Sequence, residues 1–328
     1  MEFGAFVPQG WRLDLAGIET VDHWPAIERV AWQAEHLGFD SIWVYDHFHT
    51  VPIPTQEPTY EAWTLMASLA VVTERVRLGQ MCTCNGYRPP AYLAKVAASV
   101  DAISGGRIDM GIGGGWYEHE YDAYGYAFPK PSIRLGELDE AVQVMKRMWT
   151  EGEASFTGTH YSIDGAICVP KPVNGSIPLW IAGGGEQLTL RTAAAYADYT
   201  NFGSSVEAFE HKSRVLERHC EAVGRDFADI TRSTNFNVVI APDEAGVARK
   251  KDELVARYGS VPGVDGHRTF ERWFGGAEAA VGTPEQIIDL LGSFSRAGMA
   301  YAIAYFPDVA YDPSSMELFA AEVMPALA

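Results

Sequence analysis

The stretch PLWIAGGGEQLTLRTAAA, residues 178–195, joins an apolar run to a helix-like pattern through three glycines. Leu179-Trp180-Ile181 predicts a buried strand, and the helical pattern begins near Glu186. Glycines at 183–185 permit positive φ and let a ligand approach the backbone N–H groups closely. Because a helix start adds unpaired N–H donors and a positive dipole end, the turn suits an anion, most often a phosphate. A plain strand-to-helix turn explains the same residues equally well.

Apolar runs alternate with helical patterns along the rest of the chain. The predicted strands cover residues 2–8, 41–45, 76–84, 107–112, 179–181, 199–202, 231–241 and 301–306. The predicted helices cover 24–37, 61–73, 90–104, 134–149, the segment that begins near 186, 206–223, 283–297 and 314–324. Three segments interrupt the alternation: an aromatic loop at 116–131, a hairpin at 153–173 and a polar lid-like insertion in the latter half of 243–276.

Eight strands, each followed by a helical segment, favour an α/β fold of the (β/α)₈ or TIM-barrel type. The prediction is one barrel domain over residues 1–328, with an insertion before strand five and a lid-like insertion after strand seven. A doubly wound sheet is the alternative. The chain has no GxGxxG after the first strand, which favours the barrel.

Composition narrows the class of protein and its partners. Hydrophobic residues make up 47% and charged residues 21%, as in a globular protein with a sizeable core. The net charge of −18 argues against nucleic acid and anionic membranes as partners, so a phosphate must be bound by local donors. The sequence shows no long apolar span and no signal peptide, and its four cysteines follow no metal or disulfide pattern. We therefore expect a cytoplasmic protein with reduced thiols and no metal.

In a barrel the working face lies at the C-terminal ends of the strands. That rule selects residues 8–9, 46–47, 81–85, 113–118, 183–187, 201–204, 235–237 and 306–308. Asp46-His47 is the most informative pair, because a carboxylate and an imidazole can orient a heteroaromatic ring and move a proton near neutral pH. A loop-capping Asp46 and a surface His47 are the alternative, and His49 is a nearby substitute. The run Glu118–Asp122 (EHEYD) lacks the HExxH zinc spacing and suggests a solvated acidic loop.

Several motifs resemble those of the luciferase-like monooxygenase superfamily, and specifically of its coenzyme F420-dependent oxidoreductase branch, in an actinobacterial subgroup. They are FVPQ (6–9), LGFDSIWVYDHF (37–48), the segment from VRLGQ to YGYAF (76–128), PLWIAGGGE (178–186) and VGTPEQI (281–287). The resemblance covers nearly the whole chain in order. It implies a barrel, often homodimeric, that holds a flavin or deazaflavin at its mouth.

The resemblance also assigns roles to individual residues. It implies that Asp46 lies near the cofactor ring, that His47 is the proton donor or base, and that a non-proline cis peptide at Met81–Cys82 packs behind the ring beside Thr83. It places the phosphate on Gly183, Gly184, Gly185 and Glu186. Trp116 stands where sugar-phosphate dehydrogenases of the family have a catalytic Glu, which argues against glucose 6-phosphate as substrate. Glu118, two residues later, is the remaining acidic candidate for catalysis.

The function expected from the resemblance is F420-dependent hydride transfer between C5 of the deazaflavin and a small unsaturated, carbonyl or alcohol substrate. An FMN-dependent monooxygenase and a non-catalytic deazaflavin-binding protein are the alternatives. The aromatic loop at 116–131 and Trp11 suggest an apolar or aromatic substrate.

Overall fold

The computed structural model describes residues 1–203 and 205–328, which form two compact units. Ser204, at the end of the selected segment 201–204, lies outside the described residues. The first unit comprises Met1–Glu61, Phe202–Ser213 and Thr231–Ala328, and the second comprises Ala62–Asn201 and Arg214–Ile230. Within the described residues, no helix is both long and apolar enough for a membrane span.

The strands and helices alternate as the sequence predicts. The strands are β1 (Glu2–Phe6), β2 (Ser41–Val44), β3 (Arg77–Gln80), β4 (Thr83–Cys84), β5 (Ile108–Gly113), β6 (Ala154–Thr157), β7 (Ser162–Ala166), β8 (Leu179–Ala182), β9 (Tyr199–Asn201), β10 (Thr231–Ile240), β11 (Ala279–Gly282) and β12 (Tyr301–Tyr305). The helices are α1 (Thr20–His36), α2 (Ala62–Val72), α3 (Pro90–Ser104), α4 (Glu118–Tyr124), α5 (Pro131–Thr150), α6 (Thr189–Tyr196), α7 (Val206–Val223), α8 (Glu244–Ser260), α9 (Gly266–Phe274), α10 (Pro284–Arg296), α11 (Ser314–Leu318) and α12 (Met324–Leu327).

The first unit is built on five parallel strands. Their order is β11-β10-β12-β1-β2, and Gly4 of β1 aligns with Ser41 on one side and Ile303 on the other. β1, β2, β11 and β12 are largely apolar, as expected for parallel strands that are covered on both faces, whereas β10 is polar in its first half and continuously apolar only from Val238 to Ile240. Phe6 and Trp43 are almost completely buried.

The second unit continues the same alternation. β5 pairs with β3, β4 and β8, and β8 pairs with β9, all in parallel. Trp180 of β8 stacks on Tyr199 of β9 with ring centroids 4.1 Å apart. β6 and β7 form an antiparallel pair, which confirms the predicted hairpin before strand five. The predicted third strand is divided at Met81–Cys82, where the peptide bond is cis, as the resemblance implied.

The predicted helix start near Glu186 is wrong, because α6 begins at Thr189. The Leu190 N–H donates to the Gly185 carbonyl over 3.0 Å, so a wide turn precedes the helix. The apolar face that packs inward also begins only at Thr189 and Leu190, both of which are buried. Residues 186–188 therefore belong to the turn.

Two other segments are more helical than predicted. The aromatic loop at 116–131 contains α4, which ends at Gly125 in the left-handed conformation. The latter half of 243–276, predicted as a lid-like insertion, contains α9, which buries Phe270, Trp273 and Phe274. The polar composition concealed this helix, because its buried residues occupy one narrow face.

The half-buried guanidinium of Arg107 joins the C-terminal ends of α2 and α3 to the starts of β3 and β5 in the second unit. Arg107 donates to the carbonyls of Ala70, Thr73, Val76 and Ser104 at 2.8–2.9 Å and to the Thr73 hydroxyl at 2.8 Å. These acceptors lie at the end of α2, before β3 and at the end of α3. Arg107 therefore fixes where β3 and β5 begin.

We expect Arg107→Met to lower the free energy of unfolding by about 4 kcal/mol, because buried carbonyls lose a charged donor. Urea unfolding followed by tryptophan fluorescence measures this. Arg147→Met is the control, since Arg147 makes only an exposed ion pair with Glu151 at 3.0 Å and should cost less than about 1 kcal/mol. Equal losses in the two variants would contradict the assigned role.

Candidate active site

The glycine turn after β8 presents backbone donors without side chains. Gly183 has φ +116°, a conformation that only glycine adopts readily, and its N–H donates to the Asn201 carbonyl over 2.8 Å. The N–H groups of Gly185, Gln187 and Leu188 donate to no acceptor within residues 1–203 and 205–328. Together with the start of α6, these free donors form a local site suited to an anion.

The end of the third predicted strand lies close to this turn. A Cβ built on Gly113 would stand 2.7 Å from Cys82 Sγ and 3.3 Å from the Ala182 carbonyl oxygen. Residues 82, 113 and 182 are therefore in close approach within the second unit. The Thr83 hydroxyl donates to Gln80 over 2.7 Å and is buried. Of the predicted cofactor residues, the structure thus brings Cys82 close to the end of the strand that leads into Gly183, while Thr83 pairs with Ile112 of β5.

A cavity of about 420 Å³ opens in the same unit. Asn85 is 2% exposed, and its Oδ1 has no hydrogen-bond partner, while its Nδ2 donates to the Tyr161 hydroxyl over 3.3 Å. The other polar and aromatic residues that line the cavity are Tyr87, Arg88, Tyr121, Tyr126, Arg134 and Glu137. Aromatic walls with a few polar groups are typical of a ligand site.

Arg134 is a candidate anion ligand that the sequence analysis missed. Its Nε is buried without a partner, and its guanidinium lies 3.9 Å from the centre of the Phe128 ring. Its backbone carbonyl lies 3.9 Å from a Cβ built on Gly114, so the start of α5 packs against the second glycine turn. The sequence offered only an arginine at the start of an amphipathic helix, which is too common to single out.

The acidic run in α4 is not a solvated loop, so that prediction is wrong. Glu120 is completely buried and accepts a hydrogen bond from the Tyr87 hydroxyl over 2.7 Å. Burial raises the pKa of Tyr87, and the neighbouring Cys84 and Glu120 raise it further. Glu118, the predicted acid, is exposed at the first position of α4. Helical spacing turns Glu120 inward and leaves Glu118 outside.

In the first unit, Asp46 and His47 follow β2 directly. Asp46 is 1% exposed, and His47 is half-buried with its ring stacked on Trp11, centroids 4.1 Å apart and planes 7° apart. The Gln9 amide donates to the Tyr45 carbonyl over 2.7 Å and accepts from the Tyr45 N–H over 2.9 Å. Two residues of the loop after β1 therefore fix this segment. Gln9 binds the backbone of Tyr45, the residue before Asp46, and Trp11 sets the orientation of the His47 ring.

A buried polar cluster lies at the same ends of these strands. Arg12 donates to Asn237 Oδ1 over 2.6 Å and lies 4.4 Å from the centre of the Tyr305 ring. Burial raises the pKa of Asp14, although its carboxylate accepts from the Gly10 N–H over 2.6 Å. Burial also raises the pKa of Tyr45 to about 12, against the opposing effect of Arg12. This cluster holds the first two loops in place.

Comparison with known proteins identifies the family. A model of the luciferase-like monooxygenases matches residues 1–301. This chain belongs to the luciferase-like monooxygenase family. Pyrimidine monooxygenase RutA of Escherichia coli (strain SMS-3-5 / SECEC) is 30% identical over 266 residues, which cover 77% of this chain and 71% of the relative. The protein is therefore an enzyme of a family of oxidoreductases and monooxygenases.

Solved structures establish the fold of this family member. Coenzyme F420-dependent tetrahydromethanopterin reductase from Methanopyrus kandleri superposes with a TM-score of 0.79 at 21% identity, over 100% of this chain and 99% of that one. Monooxygenase RslO1 from Streptomyces bottropensis superposes with a TM-score of 0.81 at 21% identity, over 100% of both chains. The fold is a closed eight-stranded (β/α)₈ barrel, as the sequence predicted.

Two glycines of the family member differ in what surrounds them, and this yields a stability prediction. Gly115 has φ +75°, and a Cβ there would overlap the Tyr121 hydroxyl and lie 2.8 Å from Cys84 Sγ. Gly125 has φ +74° and open space around it. We expect Gly125→Ala to cost about 1 kcal/mol from backbone conformation alone and Gly115→Ala about 3 kcal/mol because overpacking is added. Thermal unfolding measures both, and equal shifts would show that Tyr121 moves aside freely.

Proposed function

We propose that the protein is an F420-dependent oxidoreductase that transfers a hydride between the deazaflavin and a small organic substrate. The observation that carries the proposal is His47, a titratable ring held in one plane by Trp11 at the end of β2. Hydride transfer to a carbonyl or an activated double bond leaves a negative charge that requires a proton. A fixed imidazole is suited to supply it near neutral pH.

The residues of the second unit fit a planar cofactor that bears a phosphate. The deazaflavin, when bound, supplies a hydride-carrying carbon at C5. The N–H groups of Gly185, Gln187 and Leu188, which have no acceptor among the described residues, would hold the phosphate. Arg134, which lines the separate cavity of about 420 Å³ in the same unit, would add a positive charge. Gly113 lets Cys82 and Ala182 pack closely at the strand ends, so the surface offered to a flat ring there is made of small side chains and backbone.

His47 donates a proton to the substrate when hydride is delivered and accepts one when an alcohol is oxidised. The stacked Trp11 restricts the orientation of its ring, which lowers the entropy lost in reaching the reactive arrangement. Asp46, which is almost completely buried next to His47 in the sequence, would orient the deazaflavin ring system. Trp116, which is 57% exposed and stacked on Tyr117, suggests an apolar or aromatic substrate.

An FMN-dependent monooxygenase is the second candidate. It is favoured by the 30% identity to a pyrimidine monooxygenase, since the F420-dependent structural relative is only 21% identical. Both cofactors carry a phosphate, which either proposal places in the second unit. The two proposals differ in the ring system of the cofactor and in whether oxygen is a substrate.

Fluorescence titration of the purified protein with F420, FMN and riboflavin tests the proposal. We expect micromolar binding of F420 and weaker binding of FMN. Arg134→Gln should weaken both phosphate-bearing ligands about tenfold, since it removes a charged hydrogen bond, and should leave riboflavin unchanged. Tight FMN binding without F420 binding would replace the proposal by the monooxygenase.

His47→Ala should lower kcat at least about 100-fold, the contribution typical of a positioned acid or base, while the Kd for F420 changes less than about threefold. Single-turnover oxidation of reduced F420 by an enone or ketone panel measures the first quantity, and fluorescence titration measures the second. Glu118→Gln is the control, because Glu118 is exposed. Equal losses in kcat and affinity would make His47 a binding residue.

A further inference from the structure

A second cavity, of about 400 Å³, lies next to the glycine turn in the second unit. It is lined by Glu186, Gln187, Arg191, Val215, Arg218 and His219. Glu186 and Gln187 follow Gly185 directly, Arg191 lies in α6, and the last three residues lie in α7. The cavity therefore begins where the proposed phosphate site ends.

The two arginines of this cavity have no acidic partner among the described residues. Neither Arg191 nor Arg218 forms a hydrogen bond or ion pair with another residue within 1–203 and 205–328. His219 Nε2 is hydrogen bonded to the Glu186 carbonyl oxygen at 2.7 Å, which connects α7 to the turn.

Among the described residues that line the cavity, Glu186 alone carries a carboxylate. With both arginines charged, the lining carries a net positive charge even when His219 is neutral. Guanidinium groups match carboxylates in geometry and are only weakly hydrated. The cavity is thus suited to bind carboxylates of a ligand whose phosphate lies at the glycine turn.

We propose that Arg191 and Arg218 form a subsite for the carboxylates that extend beyond the cofactor phosphate. In F420 these groups are the oligoglutamate tail, whereas FMN ends at the phosphate. The inference rests on the proposed function and deepens it, because the subsite would distinguish the two cofactors. Both arginines are exposed, so each contributes modestly and the contribution is screened by salt.

Fluorescence titration with F420 that carries several glutamates, and with the same cofactor lacking them, tests the subsite. In the wild-type protein the tail should raise affinity about tenfold at low salt, as expected for two exposed ion pairs, and the gain should shrink at 0.5 M salt. Arg191→Gln/Arg218→Gln should abolish the gain and leave the tail-free cofactor and FMN unchanged. Arg268→Gln/Arg272→Gln, an equal change of charge on exposed residues of α9, should retain it.

Glu186→Gln should increase the gain in F420 affinity that the tail provides, because it removes a carboxylate that repels the tail. This change is opposite in sign to that of the arginine double variant. A tail that has no effect on the affinity of the wild-type protein would overturn the subsite and leave F420 as the cofactor. Equal losses in the two double variants would also overturn it, since the general field would then be responsible. FMN binding without binding of either form of F420 would overturn the subsite and the proposed function together.

Discussion

The absence of side chains at the ends of β5 and β8 is the constraint on which the second unit depends. Gly113 lies so close to Cys82 and to the Ala182 carbonyl that a single Cβ would force one of them to move. Gly183 takes a φ that other residues rarely adopt. Gly113 thus permits close packing of the strand ends, and Gly183 begins the turn in which the N–H groups of Gly185, Gln187 and Leu188 have no acceptor among the described residues. Strand packing and the proposed anion site therefore both depend on glycines at these strand ends.

We expect anion binding in this protein to depend on nearby donors and arginines rather than on its net charge. A chain with a charge of −18 repels polyanions at long range. Among the residues that the structure describes, however, Arg134 Nε has no hydrogen-bond partner and the guanidinium groups of Arg191 and Arg218 have no acidic partner. Within a Debye length of about 10 Å at 0.1 M salt, near charges and dipoles outweigh distant ones. An acidic protein can thus bind a phosphate-bearing cofactor through a few nearby donors and cations.

The first unit solves a different problem, the orientation of a side chain that is expected to move a proton. His47 is fixed by a ring stack, and its strand is held by Gln9, which both donates to and accepts from the Tyr45 backbone. The buried Arg12 and Asp14 stabilise the loop that carries Trp11. A loop that is tied down in this way places an imidazole more reproducibly than a free surface loop would.

The sequence alone determined the alternation of strands and helices, the barrel, the hairpin at 153–173 and the family, because apolar periodicity, glycine positions and motif order are local properties of the chain. It also indicated that Gly183–Gly185 form a turn suited to an anion, and the family resemblance implied the cis peptide at Met81–Cys82. Tertiary structure decided the start of α6 at Thr189, the burial of Glu120, and the helix α9 in a segment predicted as a lid. It alone revealed that Arg134 Nε has no partner and that Arg191 and Arg218 line one cavity. Burial and pairing depend on residues far apart in the chain, so no local pattern reports them.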